Sequence, residues 1–94
     1  MFIFILTYKK PLSEVEKHLE AHRDYLDAHY SAGQFIASGR QEPRVGGVII
    51  CRAESRKEAE SLAYSDPFYV NQIADYQVIE FLPTKHLPGF DAFI

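Results

Sequence analysis

The sequence predicts an α+β fold in which the elements follow the order β-α-β-β-α-β and build one four-stranded antiparallel sheet. Three observations lead to this prediction. The chain begins with an unbroken apolar segment, a long amphipathic helical pattern follows, and the next two strand-like segments are separated by residues 40–44 alone. With 94 residues the chain has the length of one domain. We therefore expect a single domain over residues 1–94, with a core of residues 1–82 and a tail of residues 83–94.

The first strand and the first helix have the clearest patterns. Phe2–Tyr8 is apolar at nearly every position, which is typical of a strand covered on both faces. Ser13 and Glu16 have the spacing of a capping box and predict the start of a helix, and Gly33 predicts its end. Apolar side chains at helical spacing mark the inward stripe of this helix: Val15, Leu19, Leu26 and Tyr30.

The middle of the chain predicts a hairpin. Residues 34–39 and 45–52 are strand-like, and the segment between them is too short for a crossover helix, so the two strands should be antiparallel. Gly46-Gly47 predicts a bulge or a close approach by another backbone or a ligand. A second capping box, Ser55 with Glu58, then opens a shorter helix. Asp66-Pro67 ends that helix, because the residue before a proline avoids the helical conformation, and a single further turn follows.

With a last strand over residues 75–82, the order of elements is that of the ferredoxin-like split β-α-β unit. Right-handed crossovers place both helices on one face of the sheet and leave the other face bare. Because the first strand has the pattern of a strand buried on both faces, we expect a second copy of the chain to cover the bare face. The predicted assembly is a homodimer, with higher oligomers left open.

Composition and charge argue against several classes of protein. Hydrophobic residues make up 47% and charged residues 24%, as in globular domains. The net charge of −3 disfavours nucleic acids and anionic membranes, which are bound through basic patches. The apolar start is too short for a signal peptide or a membrane span, so we expect a cytoplasmic protein. Cys51 is the single cysteine, and the four histidines have no zinc-ligand spacing, so we expect no disulfide and no metal. The sequence contains no Walker loop or dinucleotide fingerprint, and we expect no cofactor.

One histidine of the first helix is a candidate for acid–base chemistry. His22 lies within the predicted inward stripe, and imidazole is the side chain that titrates near neutral pH. Asp66 follows the second helix on the same side of the sheet, where its carboxylate can orient the imidazole and fix its tautomer. The alternatives are a core histidine satisfied by a hydrogen bond, and an aspartate that only accepts from backbone amides of its own turn. Residue spacing alone does not choose between them.

Other residues are candidates for contacts with a small molecule. Ser38 and Arg40 close the second strand, where Arg40 can hold an anion or remain a solvated hairpin residue. The hairpin segment 41–44 is short, so we expect little loop to shape a pocket. Four tyrosines suit either an aromatic-ligand pocket or the core and an interface: Tyr8, Tyr25, Tyr64 and Tyr69.

Several segments resemble the YCII-related family, and the resemblance extends over nearly the whole chain. They are Met1-Phe2-Ile3-Phe4, His22-Arg23-Asp24-Tyr25-Leu26, Gly33 to Gly39, and Ser65-Asp66-Pro67-Phe68. The resemblance implies a ferredoxin-like unit that dimerises into an α+β barrel and carries a histidine–aspartate dyad as its active site. By motif the dyad is His22 with Asp66. We expect four residues to contact the substrate: Ser38, Arg40, Tyr25 and Phe68.

Together, the residues and the resemblance favour a cofactor-independent enzyme of the lyase or isomerase type. His22 would move a proton on a small molecule, Asp66 would orient His22, and Arg40 or Ser38 would position an oxyanion. Two alternatives stay open. One is a dimeric ligand-binding or accessory protein without chemistry, and the other is a purely structural buried pair. The apolar tail residues, from Leu87 to Ile94, are expected to pack on the partner or to extend the barrel.

Overall fold

The computed structural model describes residues 1–94 and contains four strands, four helices and a final 3₁₀ turn. The strands form one antiparallel sheet in the order β2-β3-β1-β4, so the predicted α+β class and the β-α-β-β-α-β order are confirmed. The elements are β1 (Phe2–Tyr8), α1 (Leu12–Lys17), α2 (Leu19–Ser31), β2 (Phe35–Arg40), β3 (Gly46–Cys51), α3 (Arg56–Tyr64), α4 (Pro67–Val70), β4 (Ala74–Glu80) and the 3₁₀ turn Phe90–Phe93.

The first predicted helix is divided in two, and its predicted capping box at Ser13 and Glu16 is wrong. Pro11 precedes α1 instead, and its carbonyl accepts the N–H of Val15 at 3.1 Å. The fixed φ of proline, here −58°, suits the residue that enters a helix without an N–H to satisfy. At His18 the helix is interrupted (φ −109°, ψ 6°), because the N–H of His18 returns to the carbonyl of Val15 in a tighter 3₁₀-type turn.

Only one of the two hydrogen bonds of the second predicted capping box forms. The hydroxyl of Ser55 accepts the N–H of Glu58 at 3.1 Å, as predicted. The carboxylate of Glu58, however, accepts from the N–H of Glu54, at 3.3 Å, rather than from that of Ser55. One capping contact is enough to fix the start of α3 directly after Ser55.

The hairpin of β2 and β3 contains an irregularity that decides which side chains of β2 face the helices. Phe35 pairs with Cys51, whereas Ala37, two residues later, pairs only one residue further along β3. Ile36 is therefore an extra residue, and the bulge predicted for the glycine pair lies in the opposite strand. The glycine pair serves the other predicted purpose, a close backbone approach: a Cβ on Gly46 would lie 1.7 Å from the carbonyl oxygen of Leu6.

The core lies between the sheet and the helices, and the two faces of the sheet differ. Phe2, Phe4 and Leu6 of β1 point toward the helices and are at most 2% exposed. The opposite face carries a group of partly buried aliphatic side chains, Ile3, Ile5, Val48, Ile50 and Ile79, and the exposed polar side chains of Thr7, Asp75 and Gln77 lie beside them. None of the helices combines the length and the apolar character that crossing a membrane requires.

The tail after β4 contacts the end of the sheet that lies beyond Cys51. The guanidinium of Arg52 donates to the carbonyl of Ala92 at 3.3 Å and to that of Gly33 at 2.9 Å. Leu87 remains 81% exposed. Packing of the tail on a partner stays a prediction.

Candidate active site

Asp66 is fixed in place by the turn between α3 and α4. It precedes α4 as the N-cap residue, with an extended backbone and with Pro67 at the first helical position. Its Oδ1 accepts the N–H of Phe68 at 2.9 Å, and the residue is fully buried. The Asp-Pro sequence thus forms the local turn that its residue types predict, and this turn holds the carboxylate inside the protein.

The same carboxylate oxygen also contacts His22. The Nδ1 atom of His22 lies 2.9 Å from Oδ1 of Asp66, across 44 residues of sequence. The imidazole ring stacks on the ring of Phe68, with centroids 4.1 Å apart and planes inclined by 1°. The structure therefore brings His22 and Asp66 together, and Asp66 bonds both its own turn and the histidine.

Tyr76 is a third donor to Asp66. Its hydroxyl donates to Oδ2, the oxygen that the other two donors leave free. Burial, followed by the charge of Asp66, raises the pKa of Tyr76 far above its ordinary value, so the hydroxyl stays protonated and donates. Three donors compensate the buried carboxylate for its lost water. A carboxylate in this setting accepts from Nδ1–H of His22, which leaves the lone pair on Nε2.

The Nε2 atom of His22 is not buried, and the His22 residue lines a cleft. Nδ1 makes the only hydrogen bond of this side chain, and no buried side-chain nitrogen or oxygen lacks a partner, so Nε2 is not a buried orphan. His22 lines a cleft of about 330 Å³, which suits a small molecule. A ring nitrogen held in this way can accept a proton from a molecule in the cleft or deliver one to it.

The cleft lies between α2, the start of α4 and one end of the sheet. Its apolar wall is formed by Leu6, Tyr8, Leu19, Leu26, Ile49 and Phe68. Val48 also borders the cleft, although its side chain belongs to the opposite face of the sheet. Its polar lining consists of His22, Arg23, Ser38, Arg40 and Arg44, with the backbone of three glycines between them. The combination of an apolar wall with a few polar groups is typical of small-molecule sites.

Ser38 and Arg40 reach the cleft because of the bulge in β2. After the bulge, Ser38 pairs with Ile49 and Arg40 pairs with Gly47, and these partners lie in the rows of the sheet that face the helices. Ser38 Oγ lies 2.6 Å from the hydroxyl of Tyr30. The guanidinium of Arg40 stays 64% exposed and pairs with Glu42 at 3.2 Å.

Phe68 and Tyr25 occupy different positions. Phe68 lines the cleft and forms the surface on which His22 stacks. Tyr25 lies in the core instead, where its hydroxyl donates to the carbonyl of Leu62 at 2.6 Å, and it does not line the cleft. Burial and the charge of Asp66 raise the pKa of Tyr25, which keeps this hydroxyl protonated.

Sequence reasoning missed three residues of this region. Arg44 lines the cleft from the hairpin, so the expectation that segment 41–44 adds little to the pocket is corrected. The position of Arg23 directly after His22 in the sequence was the signal that could have indicated Arg23. Tyr76 carried no local signal, because its contact with Asp66 depends on the packing of β4 beside α4.

The other reactive side chains form no cluster. No group of three or more His, Cys, Asp or Glu side chains is placed to hold a metal ion. Cys51 is buried in β3, and burial raises the pKa of its thiol to about 11.

Comparisons with known proteins place this geometry in context. The family model of the YCII-related domain matches residues 1–82. Among solved structures, the chain is similar to a 5-chloro-2-hydroxyhydroquinone dehydrochlorinase from Burkholderia phenoliruptrix AC1100, in complex with 2,5-dihydroxybenzoquinone. The TM-score is 0.72 at 21% identity, over 87% of this chain and 94% of that one. The similarity supports the fold. No curated protein matches the sequence.

Proposed function

Because the chain belongs to the YCII-related family, we propose that it is an enzyme that moves a proton on a small molecule, with His22 as the acid–base group. The observation that carries the proposal is the contact of 2.9 Å between Nδ1 of His22 and Oδ1 of Asp66, in a histidine that lines the cleft. This arrangement pairs a positioned base with a carboxylate that orients it.

The proposed reaction begins with transfer of a proton from the substrate to Nε2. The substrate proton comes from a hydroxyl group or from a carbon next to a carbonyl, since both give oxygen-stabilised anions. Asp66 stabilises the imidazolium that forms, and it holds the ring so that Nε2 faces the cleft. Ser38 and Arg40 would contact the oxyanion of the substrate. Proton transfer by imidazole requires no cofactor, and the proposal includes none.

The dehydrochlorinase with the similar fold suggests where to look for substrates. Dehydrochlorination removes a proton and a chloride ion from one molecule, and a positioned base supplies the first of these steps. Small hydroxylated and carbonyl-bearing rings fit a cleft of about 330 Å³ with an apolar wall. We therefore propose compounds of this class as substrates.

The proposal can be tested by proton exchange with solvent. The protein is incubated in D₂O with a panel of small phenols and cyclic carbonyl compounds, and deuterium at carbon is measured by mass spectrometry. Chloride release from 5-chloro-2-hydroxyhydroquinone is measured in parallel. We expect His22→Asn to slow the catalysed reaction by about 10²–10⁴-fold, the usual contribution of a general acid–base group.

His29→Asn is the matched control, because His29 lies on the same helix but outside the cleft. This variant should keep the wild-type rate within a few fold. Wild-type turnover by His22→Asn would contradict the proposal. A compound that binds in a His22-dependent way and is recovered unchanged, without deuterium, would favour the alternative of a ligand-binding or accessory protein.

We also propose that two copies pair through the aliphatic face of the sheet. Ile3, Ile50 and Ile79 form one row across three strands of that face, and Ile5 and Val48 lie beside them. A partly exposed apolar patch of this kind is typical of an interface. Ile5→Glu should convert a dimer to a monomer in sedimentation equilibrium, whereas the charge-matched change Ser61→Glu on α3 should not. A wild type that is already monomeric would contradict the pairing.

A further inference from the structure

Three of the chain's five arginines, Arg23, Arg40 and Arg44, line the cleft beside His22. We propose that this cleft selects small molecules with an anionic group, such as a carboxylate, attached to an apolar ring. The inference rests on the proposed function for its location, and it adds the charge of the substrate, which the dyad does not specify.

The arginines reach the cleft from three separate elements. Arg23 lies on α2 directly after His22, Arg40 ends β2, and Arg44 belongs to the hairpin between β2 and β3. Arg40 faces the cleft only because the bulge in β2 shifts the alternation of its side chains. Convergence from separate elements distinguishes this cluster from a run of basic residues along one exposed helix.

The cluster also opposes the overall charge of the protein. The chain has a net charge of −3, yet no aspartate or glutamate lines the cleft. Arg23 has no carboxylate within 4.0 Å. Two glutamates contact the cluster from outside: Glu42 lies 3.2 Å from Arg40, and Glu16 lies 3.9 Å from Arg44.

These outer pairs leave the arginines available to a ligand. The side chains of Glu42 and Glu16 are 76% and 63% exposed, and exposed ion pairs contribute little to stability. The Arg44 side chain is only 28% exposed, against 64% for Arg40. Because water and salt screen a half-buried charge less, Arg44 should contribute most to the binding of an anion. Its planar guanidinium can donate two parallel hydrogen bonds to a carboxylate.

The floor of the cleft has room for a flat ring. Gly47 stands between Leu6 and Arg40 in one row of the sheet, so no side chain fills the space between them. The ring of Phe68 forms part of the wall, beneath His22. A ring that lies on this floor would present its anionic group to the arginines and a substituent to Nε2 of His22.

Binding of matched probes tests the inference without any turnover. Benzoate and benzamide have nearly the same shape and differ in charge, so their affinities are compared by titration of ¹⁵N-labelled protein, with the amide signals of Gly39 and Gly47 as reporters. We expect benzoate to bind at least about tenfold more tightly than benzamide, and the preference to weaken as salt is added. Equal affinities, or no binding of benzoate in the millimolar range, would overturn the inference.

Variants test whether the preference for benzoate over benzamide arises in the cleft. Arg44→Gln should weaken the binding of benzoate by about tenfold and leave the affinity for benzamide unchanged. Arg44→Lys should restore part of the lost affinity for benzoate. Arg56→Gln removes the same charge from α3, outside the cleft, and should change neither affinity. An equal loss in Arg44→Gln and Arg56→Gln would show an effect of net charge alone and overturn the assignment.

His22→Asn separates this inference from the proposed function. The variant should lose catalysed exchange while it keeps the preference for benzoate over benzamide. If the preference is absent but wild-type exchange depends on His22, the anion inference fails and the proposed function stands. If the preference is present but the protein exchanges no proton on any compound, the cleft is an anion-binding site and the catalytic proposal fails.

Discussion

Two histidines of α2 lie about two helical turns apart and make the same hydrogen bond to different partners. Nδ1 of His22 lies 2.9 Å from Oδ1 of Asp66, and Nδ1 of His29 lies 2.7 Å from Oε1 of Gln34. Both rings also contact an aromatic side chain, since His29 lies 5.1 Å from the ring of Phe35. A hydrogen-bonded, aromatic-packed histidine is therefore not by itself an active site in this protein.

What separates the two histidines is the charge of the partner and access to the cleft. Asp66 is fully buried and receives two further donors, whereas Gln34 carries a neutral amide and lies between α2 and β2. An amide can orient an imidazole, but only a carboxylate also stabilises the positive charge that the ring gains when it takes a proton. His22 lines the cleft and His29 does not. The comparison predicts that exchange at substrate carbon depends on His22 and its charged partner and does not depend on His29.

The largest effect should come from replacing the carboxylate partner of His22 by a neutral amide, which is the kind of partner that His29 has. Asp66→Asn keeps the shape of the side chain and removes its charge, and it should slow catalysed deuterium exchange by about 10²–10⁴-fold. We expect the fold to persist, because the hydroxyl of Tyr76 can rotate and accept from the new amide. Measuring both the exchange rate and the urea midpoint of the same sample separates a loss of catalysis from a loss of stability.

The reciprocal change, Gln34→Glu, is the control. It gives His29 a carboxylate partner without opening a cleft to it, so exchange should stay at the wild-type rate. In the double variant His22→Asn/Asp66→Asn the losses should not add, since the two residues act as one unit. Wild-type exchange in Asp66→Asn, or full additivity in the double variant, would remove the distinction between the two histidines.

Local rules predicted the parts of the site that depend on neighbouring residues. The helical stripe places His22 on the inner side of α2, and the Asp-Pro sequence predicts the turn that fixes Asp66. The order of elements then predicts that both residues lie on the same side of the sheet. Their contact could not follow from spacing, because it depends on the packing of α2 against α4; the family resemblance assigned that pair.

The rest of the cleft depends on features that simple patterns do not contain. Strict alternation from Phe35 would turn Ser38 and Arg40 away from the helices, and one extra residue in β2 reverses this. Bulges of this kind leave no clear mark in a segment that has strand-like residues throughout. Arg44 was overlooked because a short hairpin segment gives little reason to expect a residue that lines a pocket. Its side chain is nevertheless long enough to reach the cleft.

A smaller effect should follow from removing the hydroxyl of Tyr76, a partly buried group that donates to Asp66. Gln34 receives no comparable donor besides His29. Tyr76→Phe leaves Oδ2 of Asp66 without its hydrogen bond, so the free energy of unfolding at neutral pH should fall by about 1–3 kcal/mol. His22 keeps its own contact with Oδ1, so exchange should slow much less than in Asp66→Asn. Urea unfolding and the exchange assay measure both quantities, and a loss of exchange equal to that of Asp66→Asn would show that Tyr76 does more than hold the carboxylate.

The same variant tests the charge environment through pH. Burial and Asp66 raise the pKa of Tyr76, so above about pH 10 the unfolded chain loses this proton while the folded chain keeps it. The unfolded state then binds fewer protons, and the stability of the protein, which is complete below that pH, falls as the pH rises. Tyr25 and Cys51 act in the same direction, since their pKa values are also raised.

When the pH rises from about 8 to about 11, the free energy of unfolding should therefore fall less in Tyr76→Phe than in the wild type. Parallel pH curves for the two proteins would mean that neither burial nor the carboxylate of Asp66 raises the pKa of Tyr76, and this would contradict the charged partner that distinguishes His22 from His29.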